Sequence, residues 1–350
     1  MYHNEIVQSD LERVVSQGVH WDRLAGQTVV ITGATGMLGS YAAMTLLKLN
    51  DERALGVSVV AMARNGAKAR ATFGDVFDRA DFEFVEQDVS EALAYHGRAD
   101  FIIHAASQAQ PDLFDTDPVG TIKANTMGVF HTLDMAVSCE TQGYLFVSSR
   151  EIYGQPEPGQ DLFVESDWGR VDPLDVRSCY SEGKRAAETI CRAYRHQHGV
   201  DTRIARLSHT YGPGMLQSDT RVQAAFLANL LRGEDIVLKS TGTLVRTYTY
   251  VADATSALYW ILLNGSEMVY NIADQSSMVS IRELAEVFAG VAPHPGLKVT
   301  FDISEEQRVA GWSPVTGGNL DAGRLRALGW EPQVGLSEGV GRWARFVESA

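Results

Sequence analysis

Tyr180 and Lys184 stand four positions apart in a stretch with helical spacing, so both side chains project from one face. A phenol and an ammonium so placed can take the proton of an alcohol. The free phenol titrates far above neutrality, and an adjacent positive charge is what brings its anion within reach. Ser149 lies upstream at the C-terminal end of an apolar run read as a strand. Parallel sheets present their active sites there, and the Ser149 hydroxyl can share the same proton.

A second motif says what would receive the hydride. Gly33 to Gly39 reads Gly-Ala-Thr-Gly-Met-Leu-Gly between the apolar run Thr28 to Thr32 and a helical stretch from about Ser40 to Leu49. Gly33 permits the tight turn, Gly36 lets backbone approach a pyrophosphate, and Gly39 lets helix press on sheet. Thr35, Met37 and Leu38 supply the turn's other backbone groups, and the helix start adds N–H donors and a positive dipole end. Strand, glycine turn and helix in that order point to a nicotinamide dinucleotide. Lys184 would then hold the nicotinamide ribose, and the positive ring would favour the Tyr180 anion. After the second strand an NAD site places an acid for the ribose hydroxyls. Here the sequence is Ala61-Met-Ala-Arg64-Asn65, so NAD is the expected cofactor with NADP open through Arg64. Asp88, with Val89 beside it, follows the third strand and is placed either for the adenine amino group or to cap a helix.

The elements that must carry these residues can be read from the apolar runs. Val57 to Met62, Phe82 to Val85, Phe101 to His104, Tyr144 to Val147 and Thr202 to Leu207 continue the series of buried strands. Helical patterns at 117–139 and 178–198 lie between them, which predicts an α/β, Rossmann-like, doubly wound parallel sheet. Beyond Tyr211 segments shorten, with helices expected near 219–232, 280–289 and 335–348 and strands near 235–239 and 247–251. The chain divides into an N-terminal helical appendage (1–26), a dinucleotide-binding domain (27–207, with segments around 243–272 partly returning to it) and a smaller C-terminal α/β lobe (208–350).

Composition narrows the partners. A formal charge of −14 argues against coating nucleic acid or an anionic membrane. No run approaches 18 uninterrupted apolar residues, and the first ten residues lack the pattern of a signal peptide. Cys139, Cys179 and Cys191 show no metal-ligand spacing and read as reduced thiols in a cytoplasmic protein; no metal site is expected.

Taken in order, the glycine turn, His104-Ala105-Ala106, Asn125, Ser148-Ser-Arg-Glu-Ile-Tyr-Gly154, Tyr180 to Lys184, Arg206 to Pro213 and Arg246 to Asp253 resemble the extended short-chain dehydrogenases/reductases of the NAD-dependent epimerase/dehydratase family. The resemblance covers roughly residues 27–348. It implies a nucleotide-sugar substrate, a catalytic trio of Ser149, Tyr180 and Lys184, and oxidation of the sugar's 4-hydroxyl to a 4-keto intermediate. Ala105, Ala106 and Asn125 would border the cofactor, with Asn125 tying its helix to the site. Arg246, with Arg221 as a second candidate, would bind the diphosphate, and His209 a phosphate or the sugar. In the family the 117–139 and 178–198 helices form a four-helix bundle across a two-fold axis, which implies a homodimer.

Members diverge at the two positions after the Ser or Thr. Dehydratases carry Asp-Glu, decarboxylases of nucleotide-linked glucuronic acid Ser-Glu, and simple 4-epimerases small or neutral residues. This chain has Arg150-Glu151, and an arginine is no proton donor at useful rates. Arg150 either clamps a carboxylate at C6 or turns away to pair with an acid such as Glu165 or Asp167. Asp253 reads as a helix cap. Residues 177–188, Arg203 to Arg206 and Tyr211 to Pro213 are most similar to UDP-glucuronate decarboxylases, with His209 and Gly214 departing from the Asn and Arg found there. The expected activity is decarboxylation of a nucleotide-hexuronic acid; a 4-epimerase, a 4,6-dehydratase, an NADPH-dependent ketone reductase and a non-catalytic dinucleotide sensor stay open.

Overall fold

The structure, a computed structural model, describes residues 1–216, 218–292, 296–303 and 318–349. Its chain begins with helix α1 (Glu5–Val15), capped by Asn4, whose side-chain oxygen takes the Ile6 and Val7 N–H groups. Strand β1 (Thr28–Thr32) feeds the glycine turn and α2 (Met37–Arg53). β2 (Ser58–Ala63), α3 (Gly66–Phe73) and β3 (Phe82–Glu86) follow, then β4 (Phe101–His104), the short α4 (Pro111–Thr116), α5 (Pro118–Ser138) and β5 (Gly143–Ser149). β6 (Leu162–Phe163) precedes α6 (Ser178–His198), β7 (Thr202–Leu207), β8 (His209–Tyr211) and α7 (Val222–Arg232). The remainder comprises β9 (Ile236–Leu238), β10 (Val245–Tyr250), α8 (Val251–Asn264), β11 (Val269–Ile272), β12 (Met278–Ser280), α9 (Ile281–Val291), β13 (Val299–Phe301), β14 (Asn319–Leu320), a short turn of helix and a last helix, Leu336–Glu348.

Seven strands form one sheet in the order β11-β7-β5-β4-β1-β2-β3, and every pairing in it is parallel. The strands alternate their side chains between two apolar cores: Val29 and Ile31 enter one, Val30 the other. That is why these runs are apolar throughout rather than at every second residue. Connections run outward from β1 in both directions, so the order reverses between β1 and β4. A crevice opens at such a point, beyond the carboxyl ends of the strands.

The segment before β1 is packed into the body. Val7, Leu11, Val14 and Val15 are buried, as is Asp10. Its carboxylate accepts hydrogen bonds from Tyr41 of α2 (2.8 Å), Tyr250 of β10 (2.8 Å) and the Arg342 guanidinium of the last helix (2.9 Å). Helix α8 was not anticipated. All its residues from Val251 to Leu263 are buried, and a helix apolar on every side carries no stripe to read. Asp253 does not cap α8, whose N-cap is Tyr250. Its carboxylate accepts the Gln333 and Val334 N–H groups ahead of the last helix.

The remaining strands make small sheets beside the carboxyl edge, β12-β10-β8, β13-β9 and β14-β6. They face β5 and α6 across a cleft.

Candidate active site

The glycine turn fits a dinucleotide. Gly33 has φ +66°, and a Cβ on it would fall 2.7 Å from the Ala106 backbone nitrogen after β4. A Cβ on Gly39 would lie 2.3 Å from the Gly33 carbonyl oxygen. Both sites are closed to any side chain, so α2 approaches the β1–β4 switch as nearly as backbone allows. The α2 N-cap is Gly36 and no side chain caps it, which leaves the first-turn N–H groups of Met37, Leu38 and Gly39 facing the turn. Thr35 and Ser40 share a nearby cavity of about 210 Å³ with Lys68. A bound nicotinamide dinucleotide would be held by the 33–39 backbone, Ala105 and Ala106, and would supply a hydride acceptor.

The catalytic candidates converge at the end of β5. Ser149 caps a 3-10 turn formed by Arg150–Tyr153, its hydroxyl accepting the Glu151 N–H at 3.2 Å, and this fixes it at the strand's edge. Tyr180 and Lys184 face it from the first turns of α6, and both are buried. The Ser149 hydroxyl is near enough to the Tyr180 phenol to oppose the rise of its pKa. Phe114 of α4 stacks on the Tyr180 ring with centroids 4.7 Å apart. Lys184 Nζ donates to the Val147 carbonyl at 2.8 Å and lies over the Phe146 ring.

One expectation is corrected. The Tyr180 phenol is not drawn down by Lys184; burial pushes it up to about 12, helped by the Glu151 carboxylate and opposed by Ser149 and Arg221. Burial brings Lys184 itself down to about 7. For a phenol this buried, desolvation outweighs the pull of an ammonium that already donates to a carbonyl.

Beyond Tyr180 opens a cleft of about 1850 Å³, walled in part by Arg150, Glu151, His209, Arg221 and Arg246. Arg150 is buried, and it does not reach Glu165 or Asp167. Its Nη1 lies 2.9 Å from Glu151 Oε1 and its Nε donates to the Gly318 carbonyl. Glu165 instead accepts the Asn271 N–H, and Asp167 binds Gln160 and the Val164 N–H. Arg246 of β10 is buried, and burial together with Arg150 lowers its guanidinium to about 10. His209 of β8 is held well below its usual value by burial, then by Arg150, Arg246 and Arg221. It is a neutral imidazole among cations, and its buried Nδ1 has no hydrogen-bond partner among the described residues. Arg221 lines the cleft, but Asp219 takes its fork through bonds of 2.9 and 2.7 Å, so it offers a diphosphate less than expected.

Other expected residues have protein partners of their own. Asn125 reaches no catalytic group: its amide donates to Thr121 of its own helix and accepts from Ser107, while its Cβ packs opposite Gly183 of α6. Asp88 accepts from the Ser90 N–H and hydroxyl, and Arg64 comes no nearer to it than 3.8 Å. Val89 is buried beside α5, its carbonyl bonded to His131. The sequence reading missed Phe114 and the Glu188 network. Glu188 takes Arg206 (2.6 Å) and the Ser148 hydroxyl (2.6 Å) and so locks α6 to β5 and β7 beneath the site. Ser148 and Arg206 sit inside recognised motifs, but a pairing across the sheet leaves no mark in spacing. Among the described residues no group of His, Cys, Asp and Glu could hold a metal ion, no helix is long and apolar enough to cross a membrane, and the three cysteines are free.

The model of the NAD dependent epimerase/dehydratase family matches residues 29–273. UDP-glucuronic acid decarboxylase 6 of Arabidopsis thaliana is 32% identical over 314 residues, covering 89% of this chain and 86% of that one. UDP-glucuronic acid decarboxylase 1 of Xenopus tropicalis is 32% identical over 320 residues, covering 91% and 71%. Among solved structures, UDP-glucose 4-epimerase from Thermotoga maritima superposes with a TM-score of 0.78 at 20% identity, covering 92% of this chain and 99% of that one. A dTDP-glucose 4,6-dehydratase from Streptomyces venezuelae with NAD bound gives 0.76 at 24% identity, covering 92% and 97%. Sheet order, glycine turn and sequence agree: this chain belongs to the NAD-dependent epimerase/dehydratase family of short-chain dehydrogenases/reductases.

Proposed function

We propose that the chain decarboxylates a nucleotide-linked hexuronic acid, oxidising C4 with a nicotinamide dinucleotide that it retains. The observation that carries this reading is a cleft lined by Tyr180 together with Arg150, His209 and Arg246, with Ser149 next to Arg150 at the end of β5. The phenol takes the C4 hydroxyl proton with the Ser149 hydroxyl beside it, and Lys184 holds the strand end beneath. The nicotinamide supplies the hydride acceptor. With C4 a ketone, the C5–C6 bond breaks, its electron pair passes to the C4 oxygen as an enolate, and carbon dioxide leaves. C5 of the enolate then takes a proton from water, and once C4 is reduced again the phenol returns its proton to the C4 oxygen. Arg246 suits the diphosphate and Arg150 the C6 carboxylate, the ligand's oxygens competing there with the partners these guanidinium groups already have. Support comes also from the relatives of that activity at 32% identity.

Incubation with UDP-glucuronic acid, UDP-glucose and dTDP-glucose tests the reading. We expect loss of carbon dioxide from the uronic acid; loss of water, or isomerisation alone, would put a dehydratase or 4-epimerase in its place. Arg150→Ala should weaken turnover of the uronic acid about tenfold or more while leaving dinucleotide binding intact. An equal effect on neutral sugars would end the carboxylate assignment.

We also propose a homodimer in a reducing, cytoplasmic setting. Val119, Ile122, Met127, Phe130 and Val137 leave an exposed apolar stripe along α5, which packs on α6, and a second copy of that pair would cover it. Sedimentation should show twice the monomer mass, reduced to monomer by Ile122→Glu with Phe130→Glu. A monomeric wild type would refute it.

A further inference from the structure

The end of β2 decides what the adenosine ribose meets. A ribose with free 2′ and 3′ hydroxyls presents donors and is best met by an acceptor, which is why an acid stands there in NAD sites. From Ser58 to Asn65 this chain has no acid. The strand ends at Ala63, and Arg64 and Asn65 follow. The one side-chain acceptor of the two is already engaged, because Asn65 Oδ1 caps α3 by taking the Lys68 N–H at 2.8 Å. What remains is cationic. Arg64 is exposed, and its ionic partner among the described residues is Asp88 at 3.8 Å, a loose surface pair of little strength. Lys68 is half-buried and shares with Thr35 and Ser40 the wall of the cavity beside the glycine turn. Burial and the neighbouring Arg64 both lower its ammonium. Guanidinium and ammonium carry donors only, so neither can accept from a ribose diol.

We propose that the retained dinucleotide is NADP(H), with Arg64 and Lys68 clamping its 2′-phosphate. This rests on the dinucleotide-binding reading above and specifies the ligand of that site. A phosphate monoester brings the acceptor oxygens the strand end lacks, together with charge that offsets two crowded cations. Two acids at and just after the end of the neighbouring strand β3 are the rival partners. Asp88 is engaged by the Ser90 N–H and hydroxyl. Glu86 abuts the start of α3, where a Cβ on Gly66 would fall 2.7 Å from its Oε2, and it is the acid that could serve a ribose diol instead.

Equilibrium titration of the purified protein with NADP⁺ and NAD⁺ tests this without any sugar substrate. We expect NADP⁺ to bind about tenfold or more tightly, with the advantage shrinking as salt rises. Arg64→Ala with Lys68→Ala should remove the advantage by weakening NADP⁺ alone, and Arg64→Asp should reverse it. Denatured protein should release the phosphorylated dinucleotide. NAD⁺ binding as tightly as NADP⁺ in the wild type would overturn the proposal, as would Glu86→Gln weakening NAD⁺ while the Arg64 variants change nothing. Failure of both dinucleotides to bind would remove the underlying site itself, an outcome separate from the choice between them.

Discussion

Tyr180→Phe should lower the turnover rate by at least about a hundredfold, the contribution expected of a positioned general base. The substitution removes one oxygen and keeps the ring, whose stacking on Phe114 at 4.7 Å needs no hydroxyl. Ser149 retains the Glu151 N–H as a partner, so the turn it caps stays formed. Folding and dinucleotide affinity should therefore survive while proton removal fails. Burial holds the phenol near 12 in the protein alone. A bound oxidised nicotinamide ring would add the positive charge that brings the phenol into range. Single-turnover measurement with UDP-glucuronic acid, reading the absorbance of reduced dinucleotide, separates the steps. Wild-type rates in the variant would remove Tyr180 from the chemistry.

Asp10→Ala should destabilise the fold by about 3–5 kcal/mol, because it strands the Arg342 guanidinium in the interior. Asp10 is fully buried, and its carboxylate also satisfies the hydroxyls of Tyr41 and Tyr250. Four elements meet at this one side chain: α1, α2, β10 and the last helix. Denaturant unfolding of the purified variant measures the loss. Replacing the pair together, Asp10→Leu with Arg342→Met, should restore much of the stability, since no buried charge is then left alone. A change under about 1 kcal/mol in the single variant would show that water reaches the site and that the network is weaker than its burial implies.

The sheet was legible because its physics is local. Consecutive β-branched and aliphatic residues at Val29 to Ile31, or Phe101 to Ile103, have one stable disposition, covered on both faces. The glycine turn was legible because Gly33 and Gly39 sit where even a methyl would strike backbone. What the sequence hid was which side chains pair with which. Arg150 could be read as free to reach Glu165, yet Glu165 is committed to Asn271, a residue of β11 far along the chain. Arg221 looked available until Asp219, two residues before it, closed its fork. The phenol's elevated pKa was equally hidden, because desolvation depends on how tightly α4 and α6 close over Tyr180, and spacing encodes proximity but not dryness. Helix α8 escaped for a related reason: total burial erases periodicity.

Strand β11 comes from the C-terminal half of the chain yet forms the outermost rung of the main sheet, paired along β7 from Ile204 to Leu207. A genetic crossover joining residues 1–207 to a foreign partner would leave β7 with a bare rim of amide groups, the kind of surface on which chains aggregate. New specificities in such a protein therefore arise by point substitution around the existing cavity or by grafting single loops, and a wholesale exchange of halves must carry that rung along or lose the fold.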